Sequence, residues 1–201
     1  MKSSTRNSQE HSQRDSPTNP HDPAEFVCDV VMRGGSVLTL RAIRPDDAPR
    51  LVDFHEHLSP RSIYRRFFFV HPNLSTAEVE RFTTVDYLDR FALVAEDGGH
   101  LRAVGRYERM AGTTEAEIAF VVTDDYQHQG IGTVLLERLA DAAWGNGITR
   151  FVAYTLTENR EMLDVFMKSG FTVSTSSEDG TTTVRFPIDP DGERSGVRTG
   201  A

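Results

Sequence analysis

Glu117-Ile-Ala-Phe-Val-Val-Thr-Asp-Asp-Tyr-Gln-His-Gln-Gly-Ile-Gly-Thr133 reads as a strand, a tight turn with two glycines and the start of a helix that continues through Val134-Leu-Leu-Glu-Arg-Leu-Ala-Asp-Ala-Ala-Trp144. Gly130 and Gly132 carry no Cβ, so their amides can approach a ligand closely. The free N–H groups and positive dipole end of the following helix favour an anion there, a phosphate above all. Two other phosphate-binding turns are excluded. A dinucleotide fingerprint needs a third glycine where this chain has Leu135, and no Gly-Lys-Ser/Thr follows to make a P-loop.

Working outward, Thr149 to Leu156 is a further strand, so Glu117 to Leu156 forms a strand, crossover helix, strand unit, which implies a parallel pair. Phe91–Ala95, Ala103–Tyr107 and Glu115–Val122 predict an antiparallel meander with turns at Gly98-Gly99 and Gly112. Upstream, Val37–Ile43 suggests a first strand, and Arg44-Pro-Asp-Asp opens a helix running to about Leu58. After the break at Ser59-Pro60, Arg61–Phe69 is a short helix or extended segment whose Phe67, Phe68, Phe69 and Val70 are mostly too apolar for water. Ser75 with Glu78 forms a capping box, which starts another helix. Downstream, Asn159 is a good N-cap. Gly170 suits a left-handed cap that lets Phe171 pack back on Phe166, and Glu178-Asp-Gly180 joins a terminal hairpin of Thr172–Ser176 and Thr181–Ile188. The expectation is a mixed-sheet α/β domain with flanking helices.

The length of 201 residues and 38% apolar content suit one domain, expected over 36–188. The tails at 1–25 and 189–201 are expected to be disordered, since they bring almost no large apolar side chains to offset ordering entropy. A net charge of −8 argues against broad binding to nucleic acid or anionic membrane and is compatible with a cationic substrate. Cys28 has no partner for an internal disulfide. With neither an 18-residue apolar run nor an apolar signal core, a cytoplasmic location is expected. His55, His57 and His71 lack metal-site spacing, so no metal is expected.

Gln127-x-x-Gly130-x-Gly132, directly after an apolar strand with a carboxylate near its start, resembles the pyrophosphate-binding motif of the GNAT superfamily of N-acetyltransferases, which carry acetyl-coenzyme A. Asn159-Arg-Glu-Met-Leu-Asp-Val-Phe-Met-Lys-Ser-Gly170-Phe171 looks like that family's second signature. Leu58-Ser-Pro-Arg-Ser-Ile-Tyr64-Arg-Arg-Phe67-Phe and Leu74-Ser-Thr-Ala-Glu78 resemble a narrower branch, the catalytic domain of bacterial Pat-type protein lysine acetyltransferases. The resemblance implies the GNAT fold, in which the meander leads into a parallel strand pair that splays apart, with pantetheine in the gap. It places Phe120, Val121 and Val122 (backbone N–H groups near the last two), Asn159 and Met162 along pantetheine. Gln127, His128, Gln129, Gly130, Ile131, Gly132 and Thr133 would surround the pyrophosphate, with Gln129 where the family often has Arg.

Lysine is protonated at neutral pH, with a reference pKa of about 10.4, so acetyl transfer to it needs a route for the proton. The resemblance implies that Glu117 is the general base, and apolar neighbours on a central strand would raise its pKa toward the working range. Many family members have a tyrosine general acid where this chain has Phe166, but a thiolate, with a reference thiol pKa of about 8.5, leaves with little acid help. Arg61, Arg65 and Arg66 border the acceptor groove in the implied fold; they either read acidic groups around a substrate lysine or pair with Asp86 and Asp89. The implied activity is acetyl-CoA-dependent acetylation of a protein lysine ε-amine, with acyl-CoA synthetases as implied targets. A small-amine or antibiotic acetyltransferase and a non-catalytic acyl-CoA sensor remain open.

Overall fold

A computed structural model describes residues 23–189, and apart from 23–25 and 189 the expected tails lie outside the described residues. A 3-10 turn at Pro23–Phe26 takes in residues that composition assigns to the N-terminal tail, and Phe26 packs edge-on to Phe91 with ring centroids 4.8 Å apart. The strand that follows, β1 (Cys28–Val31), is not expected from periodicity; it pairs antiparallel with β2 (Val37–Ala42).

The meander forms as expected: β3 (Arg90–Asp97), β4 (His100–Arg109) and β5 (Glu115–Val122) pair antiparallel in turn. Helix α4 (Ile131–Gly145) crosses over to β6 (Arg150–Leu156), which runs parallel to β5. The terminal hairpin of β7 (Ser174–Glu178) and β8 (Thr181–Pro187) turns at Asp179 and Gly180, both with positive φ (48° and 77°). That geometry suits a two-residue type I′ turn. The eight-stranded order is β1-β2-β3-β4-β5-β6-β8-β7, with β5–β6 the one parallel pair in it.

Both faces of the sheet are covered, and β3 shows why Phe91–Ala95 reads as an unbroken apolar run. Phe91, Leu93 and Ala95 join a core with Leu135, Leu139 and Ile118, whereas Ala92 and Val94 join a second core with Leu51, Phe54 and Ile63. The first core lies under α4 and α5 (Arg160–Met167), the second under α1 (Ala48–Glu56), α2 (Pro60–Phe67) and α3 (Thr76–Thr83). A Cβ on Gly105 of β4 would meet Phe120 Cδ1 at 2.9 Å and Leu139 Cδ1 at 3.0 Å, so this glycine sets how closely α4 lies on the sheet.

Local signals fix the helix starts. Ser75 Oγ accepts from the Glu78 N–H (3.3 Å) and Glu78 Oε2 accepts from the Ser75 N–H (2.8 Å), completing the capping box of α3. Ser59 caps α2, with Pro60 in the first turn, and α2 ends at Phe68 with φ 65°. Burial of the aromatic run is a correction: Phe67 packs on the second core, but Phe69 is 55% and Val70 83% exposed, because α2 ends before their side chains can turn inward.

A charged set pins α1 to the sheet. The buried Arg41 of β2 donates to both carboxylate oxygens of buried Asp47 at 2.7 Å each, and Glu96 Oε2 accepts from Arg41 (2.8 Å) and Arg50 (2.6 Å). Burial alone would push the Asp47 and Glu96 carboxyls up, but these bonds and charges outweigh it and hold both below their ordinary range.

Candidate active site

The parallel ladder between β5 and β6 lasts for three pairs, Glu115 with Arg150, Ala116 with Phe151 and Glu117 with Val152, although both strands continue beyond it. The strands therefore part immediately after Glu117. The Thr123 N–H donates to Arg102 O and the Met110 N–H to Glu115 O, which fixes the alternation of the antiparallel ladder. Odd-numbered residues of β5 bond to β4, and the backbone of Phe120 and Val122 faces the gap. The amides available there are thus those of Phe120 and Val122; that of Val121 is committed to β4.

A groove of about 430 Å³ opens from this gap, lined among others by Phe120, Val122, Gly130, Thr133, Asn159 and Met162. Its charged lining is Arg33, Arg65, Arg66 and Lys168 against Glu161 and Asp164, an excess of positive charge in a chain of net charge −8. At one end, His128 (φ 62°) and Gly130 (φ 96°) take left-handed backbone conformations just before α4. No side chain caps α4, and the N–H groups of Ile131 and Gly132 have no partner among the described residues. Left-handed turns and open helix amides together make an anion cradle. No group of three His, Cys, Asp or Glu among the described residues is placed to hold a metal.

Of the turn residues expected around a pyrophosphate, Gln127, His128, Gly130, Ile131, Gly132 and Thr133 line the groove and Gln129 does not. Ile131 is 2% exposed and sits in the core, so its backbone alone faces the groove. Gln127 Nε2 donates to Val122 O and Ser62 Oγ, both at 3.1 Å, and ties the end of β5 to α2. Asp124 strengthens that tie by accepting from the Ser59 N–H (3.0 Å) and from the hydroxyls of Ser59 (2.8 Å) and Ser62 (2.9 Å). Gln129 turns away from the groove and donates to Asp125 O (3.0 Å). A Cβ on Gly132 would lie 3.3 Å from Val165, so this glycine also permits α4 to pack on α5.

Arg33, in the β1–β2 turn, is the residue that sequence reasoning misses. Its N–H donates to Gln129 O (3.4 Å), and its Nε lies 3.8 Å from where a Gly130 Cβ would stand. The cradle thus receives from β1–β2 the guanidinium that position 129 lacks. The long separation along the chain hid it, and the only sequence signal was an arginine followed by Gly34-Gly35.

Asn159 caps α5, its Oδ1 accepting from the Met162 N–H (3.3 Å), and is buried at the groove wall. Phe166 packs on Phe120 and Phe186, while Phe171 stacks on Phe186 at 5.3 Å; β8 supplies the ring on which Phe171 was expected to meet Phe166 directly. Arg65 pairs with Glu161 at 2.9 Å, whereas Asp86 pairs with Arg90 and Asp89 with Arg109. Of the two alternatives for Arg61, Arg65 and Arg66, pairing with Asp86 and Asp89 does not form, since Arg90 and Arg109 of the nearer strands take both aspartates.

Glu117 stands at the last rung before the gap with its side chain exposed, not enclosed by apolar neighbours as expected. Its carboxylate has no hydrogen bond or ion pair among the described residues. Its neighbours on the same face differ: Glu115 pairs with Arg150 at 2.7 Å, and Glu108, opposite Glu117, is gripped by Arg81 at 2.7 and 2.8 Å. Burial lowers the Arg66 guanidinium below the ordinary arginine range, and the Glu117 charge opposes that shift.

Residues 37–172, more than half of the chain, match the family profile of the acetyltransferase (GNAT) domain. The acetyltransferase Pat of Mycolicibacterium smegmatis is 36% identical over 144 residues, 70% of this chain and 43% of that protein, so the chain spans less than half of that relative. An acetyltransferase of Pseudomonas aeruginosa is 31% identical over 151 residues, 73% of this chain and 81% of it. The crystal structure of the GNAT domain of S. lividans PAT superposes with a TM-score of 0.78 at 42% identity, over 83% of this chain and 99% of that domain.

Proposed function

The chain belongs to the GNAT acetyltransferase family, whose acetyl donor is acetyl-CoA, and we propose that it acetylates a protein lysine ε-amine with Glu117 as general base. The observation that carries the reading is the free Glu117 carboxylate at the rung where β5 and β6 part. Acetyl-CoA supplies the thioester. The amides of Phe120 and Val122 would bind the pantetheine arm as an added strand and donate to the thioester oxygen as it gains negative charge. The cradle of His128 to Thr133, with Arg33, would take the diphosphate. Glu117 would accept the amine proton, directly or through water, as the nitrogen bonds to the acetyl carbon and the carbon–sulfur bond breaks to release the thiolate. No tyrosine is required, in keeping with the structural role of buried Phe166.

The likeness to Pat GNAT domains favours a protein acceptor, and the exposed Phe69 and Val70 beside α2 offer it an apolar surface. Thiol release should be measured with an acyl-CoA synthetase as acceptor, beside polyamines and aminoglycosides, for the native protein and Glu117→Gln. Synthetase-dependent release that is lost in the variant while acetyl-CoA binding persists supports the proposal. Release with small amines alone moves the acceptor class, and tight acetyl-CoA binding without release on any acceptor overturns catalysis in favour of a sensor.

A further inference from the structure

Two arginines on the Glu117 side of β5 are left without the partners that this chain gives to most others. Arg106 of β4 stands opposite Ala119, and Glu108 opposite Glu117. Directly opposed residues share a face, so Arg106 is the diagonal neighbour of Glu117, a relationship that spans about 7–8 Å. Arg66, brought over the same face by α2, lines the coenzyme groove and also, with Arg106, Phe82, Ala119 and Val121, a small cavity of about 30 Å³. It thus stands where the donor groove meets the acceptor side.

Neither guanidinium makes a hydrogen bond or ion pair among the described residues. Each meets an aromatic face instead: Arg106 lies 4.2 Å from the Phe82 centroid and Arg66 5.1 Å from that of Phe67. Burial pushes both below the ordinary arginine range, Arg106 to about 9 with a further contribution from repulsion by Arg66, and Glu117 alone opposes the shift at Arg66. Elsewhere Arg41, Arg65, Arg81, Arg109 and Arg150 each hold a carboxylate. One exposed glutamate cannot satisfy two half-buried forks, and a planar carboxylate matches what they offer.

We infer that Arg66 and Arg106 form an acceptor-side carboxylate subsite, so that the amine presented to Glu117 belongs to a substrate carrying a carboxylate close to that amine. This rests on the reading of the Glu117 face as the acceptor side. The carboxylate has two sources, an acidic residue beside a protein lysine or the α-carboxylate of a free amino acid. Either would place negative charge between the two cations and relieve their repulsion.

The test compares acceptors that differ by one carboxylate: lysine against cadaverine, and a lysine peptide with neighbouring Glu against the same peptide with Gln. Binding to the acetyl-CoA-loaded protein is read by calorimetry, whether or not transfer occurs, and kcat/KM by thiol release. The native protein should favour the carboxylate-bearing member of at least one pair by about tenfold or more, and the pair that shows it identifies the source. In Arg106→Gln and Arg66→Gln that ratio should collapse toward one, whereas Arg106→Lys, which keeps the charge, should retain part of it. A near-native urea-unfolding midpoint certifies the fold of each variant, and Arg66→Gln and Arg106→Lys carry the test if Arg106→Gln fails to fold. A native ratio near one for both pairs, or a ratio unchanged in the folded variants, overturns the subsite. If Glu117→Gln leaves transfer intact, the general-base reading fails instead, and the ratio is still measured.

Discussion

Two groups of charges sit on the same sheet and are finished in opposite ways. Around Arg41, Asp47, Glu96 and Arg50 every charge has an opposite partner within 3.1 Å, and the set joins β2, α1 and β3. Around Glu117, Arg66 and Arg106 no ion pair closes among the described residues, although Glu117 and Arg106 share one face of β4 and β5 and Arg66 lines one cavity with Arg106. A closed set needs nothing further and spends its interactions on holding the chain. An open set keeps polar capacity unspent, which is what a site for a passing substrate requires.

The contrast breaks first at Glu117. Glu117→Gln should lower kcat by about 10²–10⁴-fold, the usual contribution of a general base, with thermal stability and acetyl-CoA affinity close to native. Stopped thiol release alongside calorimetry checks both halves. If the variant unfolds, Glu117 belongs with the closed set and the contrast fails.

Asp47→Ala should do the reverse. Leaving Arg41 buried and unpaired should cost about 3–5 kcal/mol in urea unfolding, with acetyl-CoA affinity per folded molecule unchanged. The same set dictates an acid response. Asp47 and Glu96 are held below ordinary values of 3.8 and 4.5. Their contribution is therefore complete above about pH 5 and is lost as pH falls below those ordinary values through the lower folded ones. Unfolding curves recorded between about pH 6 and pH 3 should show a decline in native stability that is shallower in Asp47→Ala.

Arg33→Ala should weaken acetyl-CoA binding by about tenfold, as expected for losing one charge-assisted contact, and leave acetyl-pantetheine, which lacks the diphosphate, unaffected. Equal loss on both ligands would place Arg33 outside the diphosphate cradle. The smallest effect belongs to Arg81→Gln. Its pair with Glu108 is about half exposed on both sides and should contribute less than about 1 kcal/mol in a denaturant titration. That value calibrates how little an exposed pair matters beside the buried set.

The parts of the fold written in short-range chemistry were legible. The Ser75–Glu78 box, the Asp179-Gly180 turn and the apolar run at Phe91–Ala95 each state their structure within a few residues. What depended on pairing across distance was not. Cys28–Val31 is four residues at a sheet edge, too short for periodicity to separate from its neighbours. At the site, the turn was visible as an anion cradle, and Glu117 was visible as a carboxylate on a strand. Its exposure depends on what packs over that face of the sheet, which no strand pattern states. Gln127 lines the groove as its motif position implies, but its bond to Ser62 joins residues 65 apart and no short-range pattern states it. Arg33 was hidden for the same reason, since the β1–β2 turn meets the loop before α4 only once the sheet has formed.

Three rungs of parallel ladder join β6, β8 and β7 to the rest of the sheet by backbone bonds. The seam beyond them is an unfinished zip, and a pantetheine arm lying in it would act as the missing teeth. Donor occupancy then becomes a mechanical property of the protein. Saturating acetyl-CoA should raise the melting temperature, by a free energy of about 2.7 kcal/mol at a hundred times Kd, and should slow amide exchange on both lips of the seam together.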